Sequence, residues 1–257
     1  MIGVILAAGM GTRLMPLTKE IPKALLKING VTLLERMIKN CIDAGISKYI
    51  VVVGYNKDKV IDACHEMADK YEIEINPMVN EEYDVTNTSV STYIASKYIE
   101  KNPEDFILVN GDNVVDPQII SKIVNCKNTG MIIDNYKQLN EESFKIIIGD
   151  ETFNEDSSIS NGIINSIGKD LDIDSSSGEF IGVSKVISDD IVEFNEILLG
   201  LIKENPQNYY DFAYKDLSTI KTIDFVLTNS LKWTEIDDHT DWKNAQVLVD
   251  NFEKGMV

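Results

Sequence analysis

Short β-branched runs alternate with amphipathic stretches through the first 112 residues, and this alternation restricts the possible folds of the chain more than any other feature. "IGVILAA" (2–8), "KYIVVVGY" (48–55), "YEIEIN" (71–76) and "DFILVNGD" (105–112) read as strands. Between the first two, "TLLERMIKNCIDAGI" (32–46) sets Leu34, Met37, Ile38, Cys41 and Ile42 at helical spacing and reaches a stop at Gly45. Further helices are expected near residues 57–69 and over "TSVSTYIASKYIE" (88–100). Three crossovers by residue 112 predict an α/β fold: a Rossmann-like, mainly parallel mixed sheet flanked by helices. Beyond that point "TGMIID", "SFKIIIGD", "GIINSIG" and "GEFIGVSKV" are strand-like pieces between polar turns, expected to form a small antiparallel addition. The stretch "GDETFNEDSSISNG" (149–162) and the serines at 175–177 read as surface loops. A helix over 187–203, a "YYDFAYKDL" segment, two strands and a helix after His239 follow. With 257 residues, 44% of them hydrophobic, and neither a repeat nor a dividing linker, the expectation is one domain over 1–257.

The first strand runs into "LAAGMGTRLMPLTKEIPKAL" (6–25). A turn that leaves the first strand of a parallel sheet lies at its carboxyl end, where such folds bind ligands. Gly9 and Gly11 let backbone amides approach a phosphate, and Arg13 and Lys23 can reach the same anion. No third glycine stands at dinucleotide-binding spacing and no GK[ST] follows, so two commoner phosphate motifs are set aside. A net charge of -18 repels nucleic acid and anionic membranes, so an anionic ligand needs a local positive pocket. Cys41, Cys64 and Cys126 are scattered, which suggests neither a disulfide framework nor a zinc site and fits a reducing cytoplasm. "MIGVILAAG" is too short for a secretory signal, and no run of about 18 apolar residues follows.

G-x-G-T-R followed after nine residues by Lys, with Pro22 before it, resembles the nucleotidylyltransferases, the pyrophosphorylase family that joins an NTP to a sugar 1-phosphate or another phosphorylated small molecule. The resemblance spans the whole chain. It implies the nucleotide-diphospho-sugar transferase type of fold, with 1–115 as the nucleotide-binding half and 116–257 as the acceptor-binding half with its C-terminal helix. It also implies that Leu6, Ala7, Ala8, Gly9, Met10, Gly11 and Thr12 wrap the base, ribose and phosphates. Arg13 would then bind the triphosphate and Lys23 would bridge the reacting phosphates. Such chemistry needs alignment and well-placed cations more than covalent help. The alternative for Lys23 is a solvated surface lysine.

Two polyanions meet in this reaction, and Mg²⁺ favours one or two carboxylates plus phosphate oxygens. "VNGDNVVD" puts Asp112 directly after an apolar strand, and "KWTEIDDHTDW" sets Glu235 and Asp237 two apart on a strand, pointing to one face. The family has an aspartate after its fourth strand and a late D/E-x-D motif that ligate magnesium, and the resemblance assigns those roles to Asp112, Asp237 and Glu235. Asp112 can alternatively be a turn former. Asp238 is read as a helix cap.

"NEEYDVTNTSVSTY" is similar to a segment of the CTP-using members, which activate phosphocholine, aminoethylphosphonate, inositol phosphate or amino-acid-like compounds. It implies Asn87 and Ser91 beside the cytosine and ribose, although both can equally cap and line an ordinary helix. The same likeness implies Lys145 on the acceptor phosphate and Glu179 at the acceptor's other end. "NYYDFAYKDL" groups Tyr209, Tyr210 and Tyr214 around Asp211, a wall suited to an ammonium group. A tyrosine cluster at helical spacing can also be core. His65 and His239 stand alone and read as structural, and no Ser/His/Asp or Cys/His arrangement suggests a covalent intermediate. The expectation is an Mg²⁺-dependent cytoplasmic cytidylyltransferase moving CMP from CTP to a small phosphorylated acceptor, with no nucleic-acid or membrane partner and a homodimer left open. The alternatives are a UTP- or dTTP-dependent sugar-1-phosphate enzyme and a nucleotide sensor without turnover.

Overall fold

A strand covered by helices on both faces has no polar side, and the strands of the first half are apolar at nearly every position for that reason. The computed structural model describes residues 1–153 and 159–254. Its chain order begins β1 (Ile2–Ala7), a short hairpin of β2 (Lys27–Ile28) and β3 (Val31–Thr32), α1 (Leu33–Asp43), β4 (Lys48–Val53), α2 (Lys57–Tyr71), β5 (Glu74–Val79), α3 (Thr88–Ile99) and β6 (Phe106–Asn110). β5, β4, β1 and β6 lie side by side in that order, all parallel. The winding runs outward from β1 through β4 to β5 and then returns to β1's other side at β6. The β1–β6 seam is therefore the switch point of the sheet, and its carboxyl end is where a ligand fits.

β5 begins and ends three residues later than its pattern suggested. Tyr71 and Glu72 close α2 instead, Glu72 in the left-handed region at φ 54. Pro77 reads as a strand breaker, yet β5 is the last strand on its side of the sheet, where a missing N–H costs no ladder bond. This shift places Asn80 at the carboxyl end of a strand.

The second half continues with β7 (Asn113–Val115), α4 (Pro117–Val124), β8 (Thr129–Asp134), β9 (Lys145–Phe153), β10 (Ile159–Gly168), β11 (Gly178–Val186), α5 (Ile191–Glu204), α6 (Phe212–Ser218), β12 (Ile223–Leu227), β13 (Trp233–Glu235) and α7 (His239–Glu253). α4 was not anticipated, although Asp116 caps it through Gln118 N and Pro117 opens it, a common helix start. The antiparallel pieces join the same sheet, which runs β5-β4-β1-β6-β11-β8-β12-β10-β9 over the described residues. β11 sits antiparallel between β6 and β8, while β8 and β12 pair in parallel. Much of the expected loop at 149–162 belongs to β9 and β10, and its residues 154–158 lie outside the described ones. The serines at 175–177 do lie in a surface turn.

Alternate strand residues feed opposite layers. Ile5, Val51 and Val109 pack with Met37, Cys64 and Ile120 of α1, α2 and α4, whereas Val4, Val52 and Leu108 pack with Ala95, Phe194 and Tyr214 from α3, α5 and α6. A third cluster, with Leu14, Leu26, Ile28, Ile236, Ala245 and Val249, seats α7 against the segment after β1. No helix among the described residues is long and apolar enough to cross a membrane.

Candidate active site

Three chain segments meet at the carboxyl end of the β1–β6 seam. After β1, Gly11 takes φ 61, and a Cβ there would lie 3.1 Å from both the Lys23 Cβ and the Thr18 Cγ2. Thr18 Oγ1 donates to Gly11 O at 2.7 Å, folding the segment back so that a one-turn 3₁₀ helix, Lys23–Leu25, presents Lys23. Gly111 N donates to Leu6 O at 2.9 Å, which lays Asp112 beside the end of β1. β13 pairs antiparallel with β7, Glu235 opposite Asn113, and Ile236 N donates to Asp112 O. Asp237 is fixed from the other side by the start of α7. Asp238 accepts from Thr240 N and Asp241 N, and Asp241 Oδ2 accepts from the amides of Asp238 and Asp237. The expected cap at Asp238 is thus a full capping box.

Lys23 Nζ stands 2.7 Å from Asp112 Oδ2 and 2.9 Å from Asp237 Oδ1, while Arg13 Nη2 is 2.8 Å from Asp237 Oδ2. One carboxylate oxygen each of Asp112, Glu235 and Asp237 lies within 4.8 Å of the others. Asp237 follows β13 rather than lying on it, but the alternation holds, because Ile236 between the two acids turns into the third apolar cluster. Burial works to strip the proton from Lys23, and the Asp112 and Asp237 carboxylates outweigh it, so the ammonium is held above its ordinary value. Burial likewise opposes ionisation of Asp237, and Lys23, Arg13 and Lys169 overcome it and hold that carboxyl below the usual range. Glu235 is exposed as a residue, but the cleft crowds its carboxyl. That desolvation, followed by the charges of Asp112 and Asp237, pushes its carboxyl up to about 8.

A cleft opens from this cluster in two directions. One wall carries Leu6, Ala8, Gly9, Asn80, Asn87 and Ser91. Nothing lies within 4 Å of where a Gly9 Cβ would point, so the backbone there is open to the cleft. Ala7 turns into the core instead, and Met10, Gly11 and Thr12 shape the turn without lining the cleft among its described residues. Asn87 is the N-cap of α3, its Oδ1 accepting from Thr88 N, and also lines the cleft, so both readings of it hold in part. Ser91 accepts from Asn80 Nδ2 at 3.1 Å. Asn80 also donates to Thr86 Oγ1 and accepts from Glu82 N, and so fixes the whole 80–91 wall. It was missed because its strand was read over 71–76 and so stopped short of it.

The other direction leads to Glu142, Phe144, Lys169, Glu179, Tyr209 and Asp211. Three expectations fail here. The Lys145 ammonium is buried and donates to the carbonyls of Asn140, Glu141 and Ser143, so it braces a turn instead of reaching the cleft. Tyr210, in the turn before α6, and Tyr214, on the side of α6 that packs onto the sheet, are fully buried in the core, Tyr214 donating to Ser184 Oγ at 2.8 Å. Glu179, Asp211 and Tyr209 do line the cleft, joined by Phe144, whose ring lies 5.5 Å from that of Tyr209. Lys169, paired with Glu142 at 3.1 Å, is the cation this part of the cleft presents, and it sits in the "IGKDL" stretch. Burial pushes the Asp211 carboxyl up to about 7. Lys137 lies 3.5 Å from Glu179. His239 contacts Met15 O at 3.0 Å, a structural tie as expected.

The Nucleotidyl transferase family model matches residues 2–159. The CTP:phosphoglutamine cytidylyltransferase of Campylobacter jejuni is 29% identical over 207 residues, which cover 77% of this chain and 79% of that protein. The bifunctional protein GlmU of Methanococcus aeolicus is 34% identical over 154 residues, or 60% of this chain but only 34% of the length of that protein. Among solved structures, the CTP:phosphocholine cytidylyltransferase of Streptococcus pneumoniae superposes with a TM-score of 0.73 at 21% identity, covering 96% of this chain and 99% of that one, a likeness of fold.

Proposed function

The chain belongs to the nucleotidyl transferase family, and from that premise we propose that it is a cytidylyltransferase which moves CMP from CTP onto a small phosphorylated acceptor carrying an ammonium group. The observation that carries the reading is the meeting of Lys23 and Arg13 with Asp112, Glu235 and Asp237 at the switch point of the sheet. In this reading an acceptor phosphate oxygen attacks the α-phosphorus of CTP, the bond from that phosphorus to the bridging oxygen breaks, and pyrophosphate leaves. The Lys23 ammonium meets the charge that builds on the transferring phosphoryl oxygens, and Arg13 holds the triphosphate. The Asn80–Ser91 wall receives the base and ribose, which accords with the similarity to a CTP-using relative.

The residues present fit a divalent cation. Asp112 Oδ1 is buried without a hydrogen-bond partner, and three hard carboxylates converge beside it. Asp112, Asp237 and Glu235 would hold Mg²⁺. When bound, the metal offsets the charge of the two polyanions so that they can approach.

On the acceptor side, Lys169 takes the phosphate in place of Lys145, and Asp211 and Glu179 with the rings of Tyr209 and Phe144 receive a cationic substituent. Because burial pushes the Asp211 carboxyl up to about 7, the KM for such an acceptor should fall as pH rises from 6 to 8, and Asp211→Asn should remove that part of the fall. A pyrophosphate-release screen of four NTPs against phosphorylated amines, amino acids, polyols and sugars tests the assignment. CTP with an aminated phosphate is the expected best pair. UTP or dTTP with a neutral hexose 1-phosphate as the best pair would replace this reading with a sugar-1-phosphate enzyme, and no release from any pair would leave a nucleotide sensor.

A further inference from the structure

We propose that Lys23 competes with the divalent cation for Asp112 and Asp237, so that the protein binds the metal weakly on its own and takes it up together with a nucleoside triphosphate. The inference rests on the reading of this cluster as the metal site. Of the four carboxylate oxygens of Asp112 and Asp237, three already face a cationic N–H: Lys23 is on Asp112 Oδ2 and Asp237 Oδ1, and Arg13 is on Asp237 Oδ2. A doubly charged ion entering there meets acids whose charge is already largely neutralised and a fixed ammonium that repels it.

Lys23 cannot simply withdraw. Its side chain is 12% exposed, against 58% for Arg13, and its stem lies where a Cβ on Gly11 would touch it. An ammonium driven off the two carboxylates without a new partner would be a buried, unpaired charge, which is costly. Arg13 can swing into water at little cost, so Lys23 is the principal competitor. A triphosphate reverses the balance because its oxygens offer Lys23 and Arg13 charge-assisted partners and also ligate the metal. Lys23 therefore serves twice, first as the counter-ion of the acids and then as the cation on the reacting phosphates. The ammonium in turn lessens the repulsion between Asp112 and Asp237 before the nucleotide arrives.

The test is Mn²⁺ titration of the protein freed of nucleotide, followed by paramagnetic resonance, which reads free metal without any turnover. Wild type should bind Mn²⁺ weakly. Lys23→Met should tighten binding by about tenfold to a hundredfold, the scale on which neighbouring groups tune metal sites. Lys23→Arg should stay near wild type, Arg13→Met should gain less than Lys23→Met, and adding Asp112→Asn to Lys23→Met should abolish the gain. Thermal melts certify each fold, and Lys23→Gln replaces the Met variant if that one unfolds. Low-micromolar Mn²⁺ binding by wild type, or no gain in either neutral Lys23 variant, overturns the proposal. If the competition fails while pyrophosphate release by wild type still requires Mg²⁺, the metal-site reading stands. Mg²⁺-independent release would remove that reading itself.

Discussion

Lys23 reaches two carboxylates from distant parts of the chain and so ties the segment after the glycine turn to the acidic pair. Lys23→Ala should lower turnover about 10² to 10³-fold, the loss of one preorganised electrostatic contact, with a native circular dichroism spectrum. Near-normal turnover would contradict its role. Asp211 gives a pH-dependent prediction about stability. The folded protein keeps its proton up to about pH 7, whereas the unfolded chain loses it at the ordinary carboxylate value. The unfolded state thus binds fewer protons across that window, and stability falls as pH rises through it, at most about 1.4 kcal/mol per pH unit. Asp211→Asn should remove this decline, so its melting temperature should gain on wild type between pH 5 and pH 8; a constant difference would show that Asp211 ionises normally. Lys23 and Asp112 were legible in the sequence because each follows a strand end or glycine turn that fixes its place. The choice between Lys145 and Lys169 was not. Lys145 opens β9 and Lys169 follows the end of β10, two strands that pair with two register irregularities, and such shifts leave no mark on an alternating pattern.

Elements set these residues by their ends rather than their middles. β1 and β6 deliver the glycine turn and Asp112 at their carboxyl ends, β13 delivers Glu235, and the cap of α7 holds the Asp237 amide. Asp238→Ala should therefore act twice. Loss of the cap costs about 1 kcal/mol, or about 2 to 4 °C in Tm for a chain of this size. The loosened Asp237 should also raise the Mg²⁺ concentration needed for half-maximal activity. A drop in Tm with an unchanged Mg²⁺ requirement would show that the cap serves α7 alone. The parallel half was readable because each crossover carries its own periodicity. The antiparallel strands were readable as strands only, since the insertion of β11 between β6 and β8 depends on pairings between segments far apart in sequence. Tyr210 and Tyr214 show the same limit, because their spacing does not say that α6 starts only after Tyr210 or that the face with Tyr214 meets the sheet.

At the scale of the whole molecule, a chain of net charge -18 lines one cleft with Arg13 and Lys169 and sets Lys23 against two of that cleft's acids. Each of these cations is paired with a neighbouring acid. Metal removal tests this arrangement. EDTA should abolish turnover, Mg²⁺ should restore it, and Asp237→Asn should shift the Mg²⁺ requirement more than the Tm; full activity in EDTA would mean that the carboxylates serve another purpose. Transfer of CMP from CTP to a phosphorylated acceptor is measured most directly by following two labels. With an aminated phosphate acceptor, label on the α-phosphorus of CTP should appear in a CDP-linked product and label on the γ-phosphorus in pyrophosphate, in equal amounts. Release of the α-label as free CMP, or of the γ-label as inorganic phosphate in a reaction free of pyrophosphatase, would contradict it.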